Sequence, residues 1–276
     1  MPDTPLKALP LQKARLSVVM PAFNEGPTIE QIVRKVLVVP HVCELIIVDD
    51  CSTDDTGDVA RKLAADFPAI RYFRHEINQG KTAALRTGFA ATTGDIVVVQ
   101  DADLEYDPSE IPELIAPIIE EKADVVFGSR FMVRRAARVL YFSHYLANRF
   151  LTFFSNVFTN VNMSDIETCY KAFRGDLIRS MRITSSGFGF EVEVTAKMAK
   201  RRCRIYEVPI SYYGRTYEEG KKIGIPDGIA AFWYVLRYNL FSARSSAFRE
   251  EASGSGTIEG SDLGGQIGAV SRQHLR

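Results

Sequence analysis

Four short apolar runs mark the first half of the chain: "LSVVM" at 16–20, "LIIV" at 45–48, "IVVVQ" at 96–100 and "VVF" at 125–127. They are rich in β-branched residues and hardly alternate with polar ones. That pattern belongs to strands buried on both faces of a parallel sheet. Helical periodicity fills the gaps. "PTIEQIVRKVLVV" (27–39) opens on Pro27, which suits a first helical turn. "DDTGDVARKLAADF" (54–67) and "GKTAALRTGFAATTG" (80–94) follow, and "PSEIPELIAPIIEEK" (108–122) is less regular because of Pro112 and Pro117. Strands alternating with helices predict an α/β fold, a mostly parallel central sheet flanked by helices.

From about residue 138 the texture changes. "VLYFSHYLANRFLTFFSNVFTNV" is dense in aromatics, "FGFEVEVTAKMAKR" (188–201) reads as a helix, "CRIYEVPISY" (203–212) as a strand and "DGIAAFWYVLRYNLF" (227–241) as an amphipathic helix. The Gly/Ser-rich stretch at the end of the chain has the composition of a disordered tail.

Polar chemistry collects at one end of the expected sheet. "PAFNE", "DDCSTDD", "DADLEYD" and "GSRF" each follow an apolar run. In open α/β sheets ligands bind beyond the carboxyl ends of the strands. Three of these four ends are acidic and the last carries Arg130, an ordering that points to a site. Asp101 and Asp103 are spaced so that one turn can aim both carboxylates at one point. Paired hard oxygens suit Mg²⁺ or Mn²⁺, ions that also take phosphate oxygens. The alternative is a helix cap, which accounts for Asp107 well and for Asp101 poorly.

Composition narrows the chemistry. The chain has 276 residues, 46% of them hydrophobic, and a formal net charge of +0. That balance argues against nucleic acid as a partner. Cys43, Cys51, Cys169 and Cys203 form no CxxC pair, so reduced thiols in a cytoplasmic protein are expected. No run is long enough for a signal peptide core or a spanning helix. "NQGKTAA" ends like a phosphate-binding P-loop, but His75 stands where the pattern needs its first glycine. Gly80 and Lys81 remain candidates to meet an anion at a helix start, against a plain helix cap and solvated lysine. "SGFGFEV" has Val192 in the third glycine position of a dinucleotide fingerprint, so Gly187 and Gly189 read as a turn.

Taken in order, "LSVVMPAFNE", "LIIVDDCSTDDT", "NQGKTAALRTG", "GDIVVVQDADLEYDP" and "GSRF" resemble the family 2 inverting glycosyltransferases of GT-A fold. Within that family they look most like polyprenyl- and dolichol-phosphate mannosyl- and glucosyltransferases. The resemblance covers residues 14–245, with a nucleotide-sugar half at 14–130 and an acceptor half at 131–245, between an N-terminal tail (1–13) and a C-terminal one (246–276). It implies that Pro21, Ala22, Phe23 and Glu25 hold the nucleotide, that Asp50 bonds the base with Asp49 beside it, and that Asp101 and Asp103 bind Mg²⁺ or Mn²⁺. Glu105 falls where the mannosyl branch often has Gln, also near the metal. Arg130 matches an arginine near the acceptor phosphate. "DIETCYKAF" (165–173) is similar to "DTQCGFKLF" of the glucosyl branch, and "FGFEVEV" is similar to its "WAFDVEL". "GRTYEEGKKIG" (214–224) is similar to a basic loop over the donor, offering Arg215, Lys221 and Lys222 for phosphate contact, against a merely solvated loop.

The chemistry so implied is transfer of a hexose from a nucleotide sugar, through an oxocarbenium-like state, with inversion. Developing charge on the leaving diphosphate would be met by the ion and by cationic side chains. A phosphate acceptor needs no general base. A hydroxyl acceptor would want one, with Asp165 and Glu191 as candidates. The aromatic segment 138–161, with Phe142, Tyr145, Leu146, Phe150, Phe153, Phe154, Val157 and Phe158 near Arg134, Arg135, Arg138 and Arg149, is either an interfacial helix or an internal core helix. The first reading gives a cytoplasmic enzyme peripheral on the inner face of a membrane, acting on a lipid phosphate, with an oligomer allowed. A soluble or polysaccharide hydroxyl acceptor, and a catalytically silent nucleotide-sugar binding protein, are the alternatives.

Overall fold

The structure is a computed structural model that describes residues 14–132, 138, 141–215, 218, 225–242 and 247–248. Its centre is a seven-stranded sheet. The strands are β1 (Leu16–Ala22), β2 (Val42–Asp49), β3 (Ile70–Arg74), β4 (Ile96–Val99), β5 (Val125–Ser129), β6 (Lys171–Arg174) and β7 (Ile205–Pro209). They lie in the order β3-β2-β1-β4-β6-β5-β7. β1 runs parallel to β2 and β4, pairing Val18 with Leu45 on one side and with Val98 on the other. β6 runs antiparallel between β4 and β5, and Phe173 pairs with Val97 and with Val125.

The helices are α1 (Gly26–Leu37), α2 (Thr56–Asp66), α3 (Lys81–Ala91), α4 (Ile111–Ile119), α5 (Phe142–Thr159), α6 (Gly175–Ser180), α7 (Phe190–Arg201) and α8 (Ile225–Leu240). Strand side chains alternate between faces, so the sheet feeds two cores. Val18, Met20, Leu45, Ile47 and Val98 pack with Ile29, Ile32 and Val36 of α1 and Leu114 and Ile118 of α4. Val19, Val97, Val99 and Phe173 pack with Leu85 and Phe89 of α3 and Phe190, Val194 and Met198 of α7. This double burial is why the strands read as unbroken apolar runs.

Three local departures from expectation have physical reasons. Residues 108–110 form a short 3-10 turn before α4, and Asp107 caps it through a bond from the Ser109 amide at 3.1 Å. β3 ("IRYFR") is an edge strand with one buried side chain, and β6 ("KAFR") has four residues, so neither makes an apolar run. Gly80, just before α3, has φ +84°, and an added Cβ would sit 3.2 Å from Gly187 Cα. Thr82 clamps the same junction by donating from its amide to the Gly187 carbonyl at 3.0 Å. Gly80 is therefore fixed by its positive φ and by the close approach of the second segment, whereas Gly187, with φ +57° and open space around an added Cβ, is fixed by its backbone conformation alone. Gly80→Ala should cost about 1–3 kcal/mol of stability, read as a lowered urea midpoint; an unchanged midpoint would remove the strain from this junction.

Candidate active site

The antiparallel direction of β6 shapes the site. A reversed strand brings the residues before it, Asp165–Tyr170, to the end where its parallel neighbours β4 and β5 finish. Thus "DAD" after β4, Arg130 after β5 and "DIETCY" before β6 converge. They border a cavity of about 400 Å³, within the size range of small-molecule sites. Pro21, Ala22, Phe23, Glu25 and Asp50 line it with Lys81, Asp101, Asp103, Glu105, Arg130 and Arg215.

Asp49 is not in that lining. Its buried carboxylate takes the Ser52 amide (2.8 Å), the Tyr72 hydroxyl (3.0 Å) and Arg74 (3.0 Å). Asp50 faces the cavity, but its oxygens accept from the Gly80 amide (2.7 Å) and the Gln79 amide (3.0 Å) and meet His75 Nδ1 (2.7 Å). The anion at the start of α3 is thus Asp50 itself, so of the two alternatives for Gly80 the geometry favours a capped helix end over one open to a ligand.

The acidic cluster already carries the chain's own cations. Lys81 Nζ lies 2.8 Å from Asp101 and 2.8 Å from Cys169 Sγ. Arg215 reaches Glu25 at 3.0 Å and Asp103 at 3.1 Å. Glu105 accepts from the Tyr212 hydroxyl (2.9 Å) and the Arg215 amide (2.8 Å), which commits its carboxylate to holding that segment. Even so, burial and the facing carboxylates Asp101 and Glu105 push Asp103 up to about 7. Negative charge exceeds positive here.

Arg130 is the fixed cation at the other side. Its Nε and Nη2 donate to the two oxygens of Asp165 at 2.7 and 2.8 Å, and its amide donates to Asp165 at 3.1 Å. Burial opposes ionisation of Asp165, yet Arg130 outweighs it and holds the carboxyl below its ordinary range. With both oxygens taken, Asp165 does not stand as a free general base; it is a positioning residue for Arg130. Glu207 supports it by accepting from the amides of Ser164 (2.9 Å) and Asp165 (3.1 Å). Glu191 is 4% exposed, with its nearest cation, Lys81, at 3.9 Å.

Lys221 and Lys222 lie outside the described residues, as do Arg134 and Arg135. The sequence reading assigned no role to Tyr106, Glu167, Cys169 or Tyr212, yet all four line the cavity. "DIETCYKAF" held the signal for two of them, since a charged residue and a thiol just ahead of a buried strand are out of place in a plain loop.

The profile described as "Glycosyl transferase family 2" matches residues 17–182. The chain belongs to glycosyl transferase family 2. It is a glycosyltransferase of hexosyltransferase type. Its strand order and helix layers are those of the GT-A fold. An undecaprenyl-phosphate mannosyltransferase of Micrococcus luteus is 28% identical over 242 residues, covering 82% of this chain and 99% of that protein. A dodecaprenyl-phosphate galacturonate synthase of Rhizobium johnstonii is 28% identical over 77% of this chain, which spans 63% of that protein's length. Among solved structures, glucosyl-3-phosphoglycerate synthase from Mycobacterium tuberculosis with Mg²⁺ and uridine diphosphate superposes with a TM-score of 0.63. It is 25% identical and covers 82% of this chain and 79% of its own.

Proposed function

We propose that this family 2 enzyme moves a hexose from a nucleoside-diphosphate sugar to a polyprenyl phosphate at a membrane surface, with Mg²⁺ or Mn²⁺. The observation that carries the acceptor is the continuity between the cavity's arginine and an exposed aromatic band. Arg130 lies over the Phe131 ring (5.8 Å), and Phe131 packs edge-on against Tyr145 of α5 (5.4 Å). From there Phe142, Leu146, Phe150, Phe153 and Val157 stand exposed along one side of α5, while its buried side holds Leu151, Thr152 and Ser155. α8 extends the band with Trp233 and Leu240, and Phe154 stacks on Phe232 at 4.3 Å. A helix that turns most of its aromatics outward suits an interface between water and lipid. No described helix is long and apolar enough to cross a membrane.

Donor and metal rest on the acidic end. Among the described residues no three His, Cys, Asp or Glu side chains are arranged to hold a metal by themselves. Two hard carboxylates fit an ion that completes its shell with diphosphate oxygens and water. Asp101 and Asp103 would hold it, and it would supply charge to the leaving diphosphate. The chain's own residues do the remainder. Lys81 and Arg215 are cations that can turn from carboxylate to phosphate. Arg130, fixed by Asp165, places an anionic acceptor that needs no base. Uridine diphosphate and metal in the superposed structure, and the lipid phosphates in the relatives' names, support this reading.

The test is product formation from a panel of UDP- and GDP-sugars with Mn²⁺, comparing polyprenyl phosphate with soluble hydroxyl acceptors. Product on hydroxyl acceptors alone would sink the lipid reading. Phe150→Glu combined with Phe153→Glu should lower binding to anionic liposomes about tenfold or more. Turnover of a short-chain, water-soluble polyprenyl phosphate should be unchanged. Equal sedimentation of variant and wild type would show that the band does not meet lipid.

A further inference from the structure

Glu167 lines the cavity with Arg130, Cys169 and Lys81, but nothing described so far uses it. It stands two residues past Asp165, in the segment that the reversed strand brings to the site. Its Oε1 is buried and accepts no hydrogen bond, and the same is true of Oε2 of Glu191. Buried carboxylate oxygens without donors are rare, and each calls for an explanation. Neighbouring cations do not answer these. Lys171 gives its ammonium to the carbonyls of Ile166 and Thr168, Arg130 is committed to Asp165 and Lys81 to Asp101.

What would satisfy such a place is a ligand with several hydroxyl donors and no negative charge. Lys81 joins the position to the diphosphate end, because it pairs with Asp101 and lies 3.9 Å from Glu191. The sugar of a nucleotide donor sits next to its diphosphate and carries hydroxyls of this kind. We propose that Glu167, backed by Glu191, reads the donor sugar: it accepts hydroxyl hydrogen bonds from a neutral hexose and turns away a hexuronate. The inference rests on the donor reading above. Burial, then the facing Glu191, pushes the Glu167 carboxyl up to about 7, the direction expected where a further carboxylate would be unwelcome.

The test compares binding of UDP, UDP-glucose, UDP-glucuronate, GDP and GDP-mannose, each with Mn²⁺, by calorimetry. In the wild type a neutral nucleotide sugar should bind more tightly than its nucleoside diphosphate, and UDP-glucuronate no more tightly than UDP. The near-isosteric Glu167→Gln should keep diphosphate affinity. It should lose about tenfold of the sugar's advantage, as expected for a charge-assisted hydrogen bond, and narrow the gap to UDP-glucuronate. Glu191→Gln should narrow that gap too, which guards against one variant failing to fold. An unchanged ratio of sugar nucleotide to diphosphate in Glu167→Gln would overturn the assignment, including the case where only turnover falls, as for a general base. Failure of every nucleotide to bind wild type would overturn the donor reading, and this inference with it.

Discussion

Asp103→Asn is expected to lower hexose transfer by about 100- to 1,000-fold while raising the melting temperature of the metal-free protein. The first effect follows from the proposed role of Asp103, which with Asp101 would hold the divalent ion. The second follows from the sign of its titration. Burial and its acidic neighbours raise Asp103 to about 7 in the folded chain, against about 3.9 when unfolded. Between those values the folded state binds the proton more tightly, so stability falls as pH rises through that window. At pH 7.5 the wild type bears most of that penalty, and an uncharged amide bears none. Activity assays and thermal melts without metal read the two effects separately. Loss of activity together with a lower melting temperature would mean that Asp103 is structural.

The second large effect is on Arg130 and Asp165. Arg130→Met should destabilise the fold by about 3–5 kcal/mol, because it leaves a buried carboxylate without its partner. Asp165 is fully buried and takes three hydrogen bonds from Arg130. Its depressed pKa means that the pair's contribution is complete at neutral pH and is lost as pH falls through the folded value, below the ordinary carboxylate range. Arg130→Met should therefore flatten the acid limb of the stability profile measured by urea titration. A loss under 1 kcal/mol, with an unaltered acid limb, would refute the pairing as a structural anchor. Arg130→Lys keeps the charge but not the two-pronged geometry, and should recover part of the stability while leaving activity low.

Much of this was legible in the sequence because the physics is local. Strands buried on both faces must be apolar throughout, so β1, β2, β4 and β5 announced themselves. The acidic turn after β4 was legible because carboxylates bunched at a strand end are costly without a counter-charge. β3 and β6 left no such trace. An edge strand needs only a partial apolar face, and a four-residue strand is set by its neighbours more than by its own composition. The counter-charges were equally hidden. That Asp50 caps α3, that Asp165 is consumed by Arg130 and that Glu105 holds Tyr212 all depend on segments distant in sequence. Glu167 went unassigned because nothing adjacent in the chain says that its carboxylate lacks a donor.

The reversed strand has a bearing on how the protein is made. Among the described residues β5 pairs with β6 and β7 alone, and β4 reaches β5 through β6. A nascent chain that has emerged as far as residue 130 therefore holds four strands in register and a fifth with nowhere to dock. The open side of β4 stays unpaired until Lys171–Arg174 arrives, and pairing across that span is slow, non-local closure. Residues 14–130 should thus behave on the ribosome as an unfinished sheet with a bare, aggregation-prone edge. Residues 14–130 should therefore complete their folding only together with the segment that supplies β6.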